Sequence, residues 1–155
     1  MTGLHDKILH ILDRADDMTI ATIRPDGFPQ ATTVSFVHDG PVVYFGTDAT
    51  SQKARNIARC GNVSLTVNLP YADWDHIEGI SAAGTAALVT DAAEIARVGA
   101  LNFAKFPQLA KYVALDGGGV PALYRVTLRI VSVLDYAKGF GHTDTVELAG
   151  MAAAA

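Results

Sequence analysis

Residues 45–57, Phe45-Gly46-Thr47-Asp48-Ala49-Thr50-Ser51-Gln52-Lys53-Ala54-Arg55-Asn56-Ile57, decide how the chain is read. The apolar run Val42-Val43-Tyr44-Phe45 reads as a strand that ends at Gly46, and hydroxyl residues follow it. Thr50 or Ser51 can cap a helix running through Arg59, and Gly61 suits that helix's C-terminal cap. A helix N-terminus presents free backbone N–H groups and a partial positive charge, which together favour an anion. Thr47, Thr50 and Ser51 add hydroxyl donors there, and Lys53 adds a point charge. With Arg55 and Arg59, three of the twelve basic residues fall within seven positions of a chain whose net charge is −4. That density points to a specific anion, although a capped helix with a solvated basic face carries the same local signature. The phosphate-cradling pattern Gly-x-x-x-x-Gly-Lys-Ser/Thr is absent.

Upstream of this stretch, Leu4, Ile8, Ile11, Leu12 and Ala15 recur at helical spacing and predict one amphipathic helix to about Asp16. Met18 to Arg24 alternates as a strand and runs into the turn Pro25-Asp26-Gly27, where proline sets φ and glycine accepts a positive φ. Gln30 to Val37 predicts a second strand, closed by His38-Asp39-Gly40-Pro41. The connections are too short for parallel crossovers, so these strands and Val42–Phe45 are expected to form an antiparallel meander. Downstream, Val63 to Asn68 is a strand, and Ile77 to Val89 is a long one in which Gly79 and Gly84 mark bends or bulges. Asp91-Ala92-Ala93-Glu94 opens a helix through about Lys105, broken by Phe106-Pro107, with a short helical turn at Gln108–Val113. Gly117-Gly118-Gly119 is expected as a flexible loop, and Tyr124 to Leu134 as the final strand. Six antiparallel strands with peripheral helices predict a mainly β (α+β) small barrel, and this element order excludes a regular βαβ series. Residues 1–148 are expected to form a single domain and 149–155 a disordered tail.

Composition narrows the functional classes. The chain has 155 residues, 50% hydrophobic and 18% charged, against roughly 25% charged in soluble domains generally. So little charge leaves an apolar core short of polar cover, which hints that a second subunit covers one face. The negative net charge argues against nucleic acid as the main partner. No apolar run approaches the ~18 residues of a membrane span. The single cysteine, Cys60, allows no intrachain disulfide, and the five histidines show no metal-ligand spacing. No secretory signal is visible at the start, so a cytoplasmic location is the expectation.

The helix start Ser51-x-Lys53-x-x-Asn56, set in this order of strands, resembles the pyridoxamine 5′-phosphate oxidase-like family of FMN-binding split barrels. The resemblance covers roughly residues 6–135 and implies a six-stranded split barrel that forms a homodimer, with FMN at the subunit interface. By the same resemblance, Ser51, Gln52 and Lys53 hold the phosphate of FMN, and Gly46 and Thr47 lie beside it. Thr32, Thr33, Val34 and Ser35 run along the isoalloxazine ring. Trp74 matches a tryptophan before the long strand, read either as cover for the flavin or as a packing residue. His142, in Gly139-Phe140-Gly141-His142, is either part of a glycine-rich exit loop or a donor to the flavin edge from across the dimer. Three departures from the oxidases of that family that act on pyridoxamine phosphate bear on the substrate: their arginine near Ala31 or Thr32 is missing, Gly79 stands where they carry a glutamine, and their C-terminal substrate segment with tryptophan and arginines is not reproduced. The implied activity is therefore FMN-dependent hydride transfer on a small molecule other than pyridoxamine phosphate. A haem- or deazaflavin-binding relative and a non-catalytic flavin-binding or sensing protein are the competing readings.

Overall fold

Apolar side chains three and four positions apart wind Gly3–Arg14 into α1, which buries Ile8, Ile11 and Leu12. The computed structural model describes residues 3–115 and 121–148. The expected glycine loop at 117–119 and the tail at 149–155 lie outside them. After α1 come β1 (Asp17–Ile23), β2 (Pro29–Ser35), β3 (Val37–Asp39) and β4 (Val42–Asp48). Then follow α2 (Gln52–Arg59), β5 (Asn62–Asn68), β6 (Glu78–Leu88), α3 (Ala92–Lys105), α4 (Leu109–Leu115), β7 (Pro121–Asp135) and β8 (Thr143–Glu147). The strands form one antiparallel sheet in the order β2-β1-β5-β6-β7-β4-β3, with β8 paired to β7.

This is the antiparallel split barrel expected, but its described residues form eight strands instead of six. The predicted strand at Gln30–Val37 breaks at Phe36, which is 1% exposed and whose N–H bonds the Asp16 carbonyl. The break abolishes the expected meander. β2 pairs only with β1, and β3 pairs only with β4, so the two edges of the sheet are consecutive in sequence and meet at one residue. The eighth strand, Thr143–Glu147, carries a single apolar residue and pairs along Ile130–Leu134.

β7 organises the whole sheet. Its first half pairs with β4, its second half with β8, and β6 runs along its other side throughout. The register slips at Gly84, as the glycine suggested, because Arg129 of β7 bulges out between two paired residues. A Cβ on Gly84 would lie 2.6 Å from the Thr127 carbonyl oxygen, so only glycine permits this approach. Gly61 does not cap α2, a role that falls to Cys60. Instead its carbonyl accepts the Ala86 N–H, and a Cβ there would meet the Ala86 oxygen at 2.8 Å.

β4 is buried on both faces. Val43 and Phe45 point into the barrel core, and Val42 and Tyr44 join a second cluster under α3 with Val89 and Val98. The opposite, outer face of the sheet is nearly free of charge. One cross-strand row reads Thr33, Thr19, Thr66, Ser81, Ser132, Thr145, and the next reads Ala31, Ala21, Ser64, Ala83, Ile130, Glu147. Among the described residues, no helix is long and apolar enough to cross a membrane.

Candidate functional site

The site begins where β4 turns into α2. The Ser51 N–H bonds the Asp48 carbonyl, and the Asp48 carboxylate accepts the N–H and hydroxyl of Thr50. The Thr50 hydroxyl, then its N–H, hold the Asp48 carboxyl below the usual carboxylate range. Ser51 is the helix cap, its Oγ accepting from the Ala54 N–H and from the Thr47 hydroxyl, both at 3.2 Å. The first two helical N–H groups, those of Gln52 and Lys53, have no protein acceptor among the described residues. The Lys53 ammonium has no ion pair among them either. Two free donors and a free cation at one helix start can take an anion.

α2 is fixed there by a buried amide. Asn56, fully buried, donates through Nδ2 to Thr22 Oγ1 at 3.0 Å and to Gln30 Oε1 at 3.2 Å, and accepts from Gln52 Nε2 at 2.8 Å. The Asn of the Ser-x-Lys-x-x-Asn pattern therefore anchors the helix to β1 and β2. The two arginines are engaged to different degrees. Exposed Arg55 spends one guanidinium N–H on Gln52 Oε1 and also borders a second cleft with Gly46 and Ala49, whereas Arg59, at the far end of α2, donates to the carbonyls of Ile23 and Arg24. Among the described residues, Lys53 is the one of the three clustered cations whose charged group has no hydrogen bond or ion pair.

A cleft of about 590 Å³ opens at the seam where β2 and β4 come side by side. Val34 and Ser35 line one wall, and Gly46, Thr47 and Asp48 the floor. The other wall comes from α3 and α4, through Asn102, Phe106, Gln108, Leu109 and Tyr112. Side chains two apart on a strand share a face, so Gln30, Thr32 and Val34 lie on one face of β2. That face runs from the α2 anchor into the cleft. Between them, Thr32 Oγ1 is buried with no hydrogen-bond partner among the described residues. A buried orphan hydroxyl costs ~1–3 kcal/mol, and this one lies two residues along β2 from Val34 of the cleft wall. The Thr33 and Ser35 hydroxyls turn to the outer face, near Thr19 and Asp17, although Ser35 still borders the cleft.

The structure thus brings Thr32, Val34, Ser35, Gly46, Thr47, Ser51, Gln52 and Lys53 to one region. Trp74 and His142 lie elsewhere. They flank the start of β6 and the end of β7, whereas Gly46 and Thr47 pair with the start of β7. Fifteen residues of strand, roughly 45 Å, separate the two ends. Trp74 is 65% exposed, its ring 5.9 Å from that of Phe140, so it is not a core residue. His142 Nε2 lies 2.8 Å from Asp144 Oδ2.

Sequence reasoning missed the α3–α4 wall. The break at Phe106-Pro107 was its only local sign, because which face of a short helix meets a sheet seam depends on distant partners. Also missed was the network that docks α3. The Tyr44 hydroxyl donates to Glu94 Oε2, and Arg125 Nη1 donates to both Glu94 oxygens, at 2.8 Å each for the shorter contacts. Burial pushes the Glu94 carboxyl up, but Tyr44 and then Arg125 hold it below its ordinary value.

The haem-binding protein of Mycobacterium smegmatis matches this fold with a TM-score of 0.80 over 96% of the chain, at 18% identity. This chain spans 60% of that protein's length. A conserved hypothetical protein from Mycobacterium tuberculosis gives a TM-score of 0.70 at 26% identity, with 88% of this chain and 89% of that one covered. General Stress Protein 26 from Bacillus anthracis gives 0.68 at 19% identity, over 96% of this chain and all of that one. A search of curated protein sequences finds no match. The family model described as pyridoxamine 5′-phosphate oxidase matches residues 4–116, more than half of the chain, and the chain belongs to that family.

Proposed function

We propose that this protein binds FMN and uses it as an oxidoreductase acting on a small molecule. The observation that carries the reading is the buried Thr32 hydroxyl, without a partner among the described residues, on a β2 face that runs from the Asn56 anchor of α2 to the seam cleft. In this reading Lys53, the N–H groups of Gln52 and Lys53, and the Thr47 and Ser51 hydroxyls hold the phosphate. The ring lies along Thr32–Ser35, with Gly46 leaving room beside it. Bound FMN supplies hydride-transfer chemistry, while the chain orients the ring and excludes water. Among the described residues the cleft has no basic side chain, which fits a substrate other than a phosphorylated pyridoxamine.

The protein works as a homodimer in this proposal. The nearly uncharged outer sheet face supplies a surface for a second copy. A two-chain site also accounts for the distance of Trp74 and His142 from Lys53, since they would serve the partner's cleft. The Mycobacterium smegmatis neighbour is named for haem binding, but no His, Cys or Met lines this cleft among the described residues, which favours flavin.

The visible spectrum of purified protein titrated with FMN is the test. Flavin bands with one FMN per chain support the reading, and a Soret band or a deazaflavin spectrum replaces it. Colourless protein that takes up no FMN refutes it. Reduction by NADH or NADPH separates an enzyme from a flavin carrier. Lys53→Ala removes a charge-assisted contact worth ~1.5–3 kcal/mol, so FMN affinity is expected to fall roughly 10- to 150-fold.

A further inference from the structure

Behind the cleft, one ammonium group touches both of its walls. Lys105 is the last residue of α3, and its Nζ donates to the carbonyl of Phe36 at 2.8 Å and to that of Ala15 at 2.7 Å. The same atom lies 4.1 Å from the Phe36 ring centroid and 5.3 Å from that of Phe106. Phe36 directly follows Val34 and Ser35, which form one wall, and Phe106 belongs to the other. We infer that Lys105 is a positioning residue that sets the separation of the cleft walls, and, resting on the function proposed above, the seat of the flavin ring between them.

Among the described residues, the carbonyls it serves have no alternative donor. Ala15 lies just past the end of α1, where helical carbonyls lack intrahelical partners. Phe36 occupies the break between β2 and β3, where no ladder reaches it. Without the ammonium, two inward-facing carbonyls lose a charged donor, and α3 loses its tie to the β2–β3 corner. Methionine at this position would fill the space but donate to neither oxygen. Burial holds the Lys105 ammonium below its ordinary pKa, opposed by Asp16, Asp17 and Asp13, consistent with a cation kept inside for its contacts. Lys7 provides the comparison. It pairs with Glu78 at 3.1 Å and Asp135 at 3.7 Å at the other end of β7, far from both walls.

Lys105→Met and Lys7→Met are compared with the wild type in two measurements. In cofactor-free protein, Lys105→Met is expected to speed amide exchange at least about tenfold in residues 33–37 and 106–112, the scale of one lost charge-assisted hydrogen bond, whereas Lys7→Met spares those segments. In FMN-titrated protein, Lys105→Met is expected to weaken binding about tenfold relative to the wild type and alter the visible circular dichroism of the flavin. Equal exchange in the walls and elsewhere in the cofactor-free protein, or flavin affinity and dichroism no different from the wild type, overturns the inference. If Lys105→Met does not fold, Lys105→Gln, which keeps one donor, replaces it under the same criteria. A wild-type protein that takes no FMN defeats the proposed function, while exchange in the cofactor-free protein still decides the role of Lys105.

Discussion

Replacing Asn56 with alanine deletes three hydrogen bonds at once from a residue with no exposed surface. A neutral hydrogen bond contributes ~1 kcal/mol net, and the one to Gln52 counts for less because Gln52 lies at the helix surface. The larger cost is Thr22, 1% exposed, whose hydroxyl loses the Asn56 donor. An unsatisfied buried group costs ~1–3 kcal/mol, and the vacated side-chain volume adds a cavity penalty. The expected loss is therefore about 3 kcal/mol, or ~6–12 °C in Tm for a chain of this size. Urea titration of cofactor-free protein measures it directly. The mechanism makes a second, sharper claim. In Thr22→Val/Asn56→Ala the orphaned hydroxyl is gone, so the double variant should lose less than the sum of the two single ones, by ~1 kcal/mol or more. Strict additivity, or a loss below ~1 kcal/mol for Asn56→Ala alone, would refute the reasoning.

Thr32→Val replaces the orphan hydroxyl with a methyl of similar shape. It is expected to stabilise the cofactor-free protein by about 1 kcal/mol while weakening FMN binding, read by urea titration with and without FMN. Destabilisation of the free protein would mean that the hydroxyl has a partner. Gly84→Ala forces a methyl against the Thr127 oxygen at 2.6 Å and Val126 Cγ1 at 3.2 Å, and should cost ~1–3 kcal/mol or more in a thermal melt. Glu94 is held below its ordinary value near 4.5, so its contribution to stability is complete above that value. The contribution is lost as pH falls through the lower folded-state pKa. Glu94→Gln should therefore flatten the stability–pH curve below about pH 4.5, and an unchanged acid limb would show that the Tyr44–Arg125 docking carries no such linkage.

Features set by neighbours in the chain were legible from the residues alone. Ser51 caps α2 and Asp91 caps α3 through bonds to N–H groups three residues on, and Gly84 marks a real bulge. What escaped depends on partners far away in sequence. Arg59 looked like part of an anion site because a count of charges does not distinguish a cation facing a ligand from one facing carbonyls 35 and 36 positions back. Phe36 looked like mid-strand because its alternation is unbroken, and only the barrel seam explains why the chain must leave one edge there and join the other. The anion-binding half of the site was visible because a helix start is a local structure. The α3–α4 wall and Lys105 were not, since their meaning arises only when α3 lies across the β2–β3 corner.

The long strand β7 has a practical consequence for dissecting the molecule. The family match stops at residue 116, before β7 begins. A fragment cut at that boundary would keep the helix start and both β2 and β4, and would look complete by homology. Physically it would be open along two flanks, with β6 left only β5 and β4 left only the three residues of β3. Bare strand edges carrying Val42 to Phe45 are templates for intermolecular pairing, so such a fragment should precipitate instead of folding. In this protein the stretch that similarity recognises is shorter than the stretch over which the sheet closes.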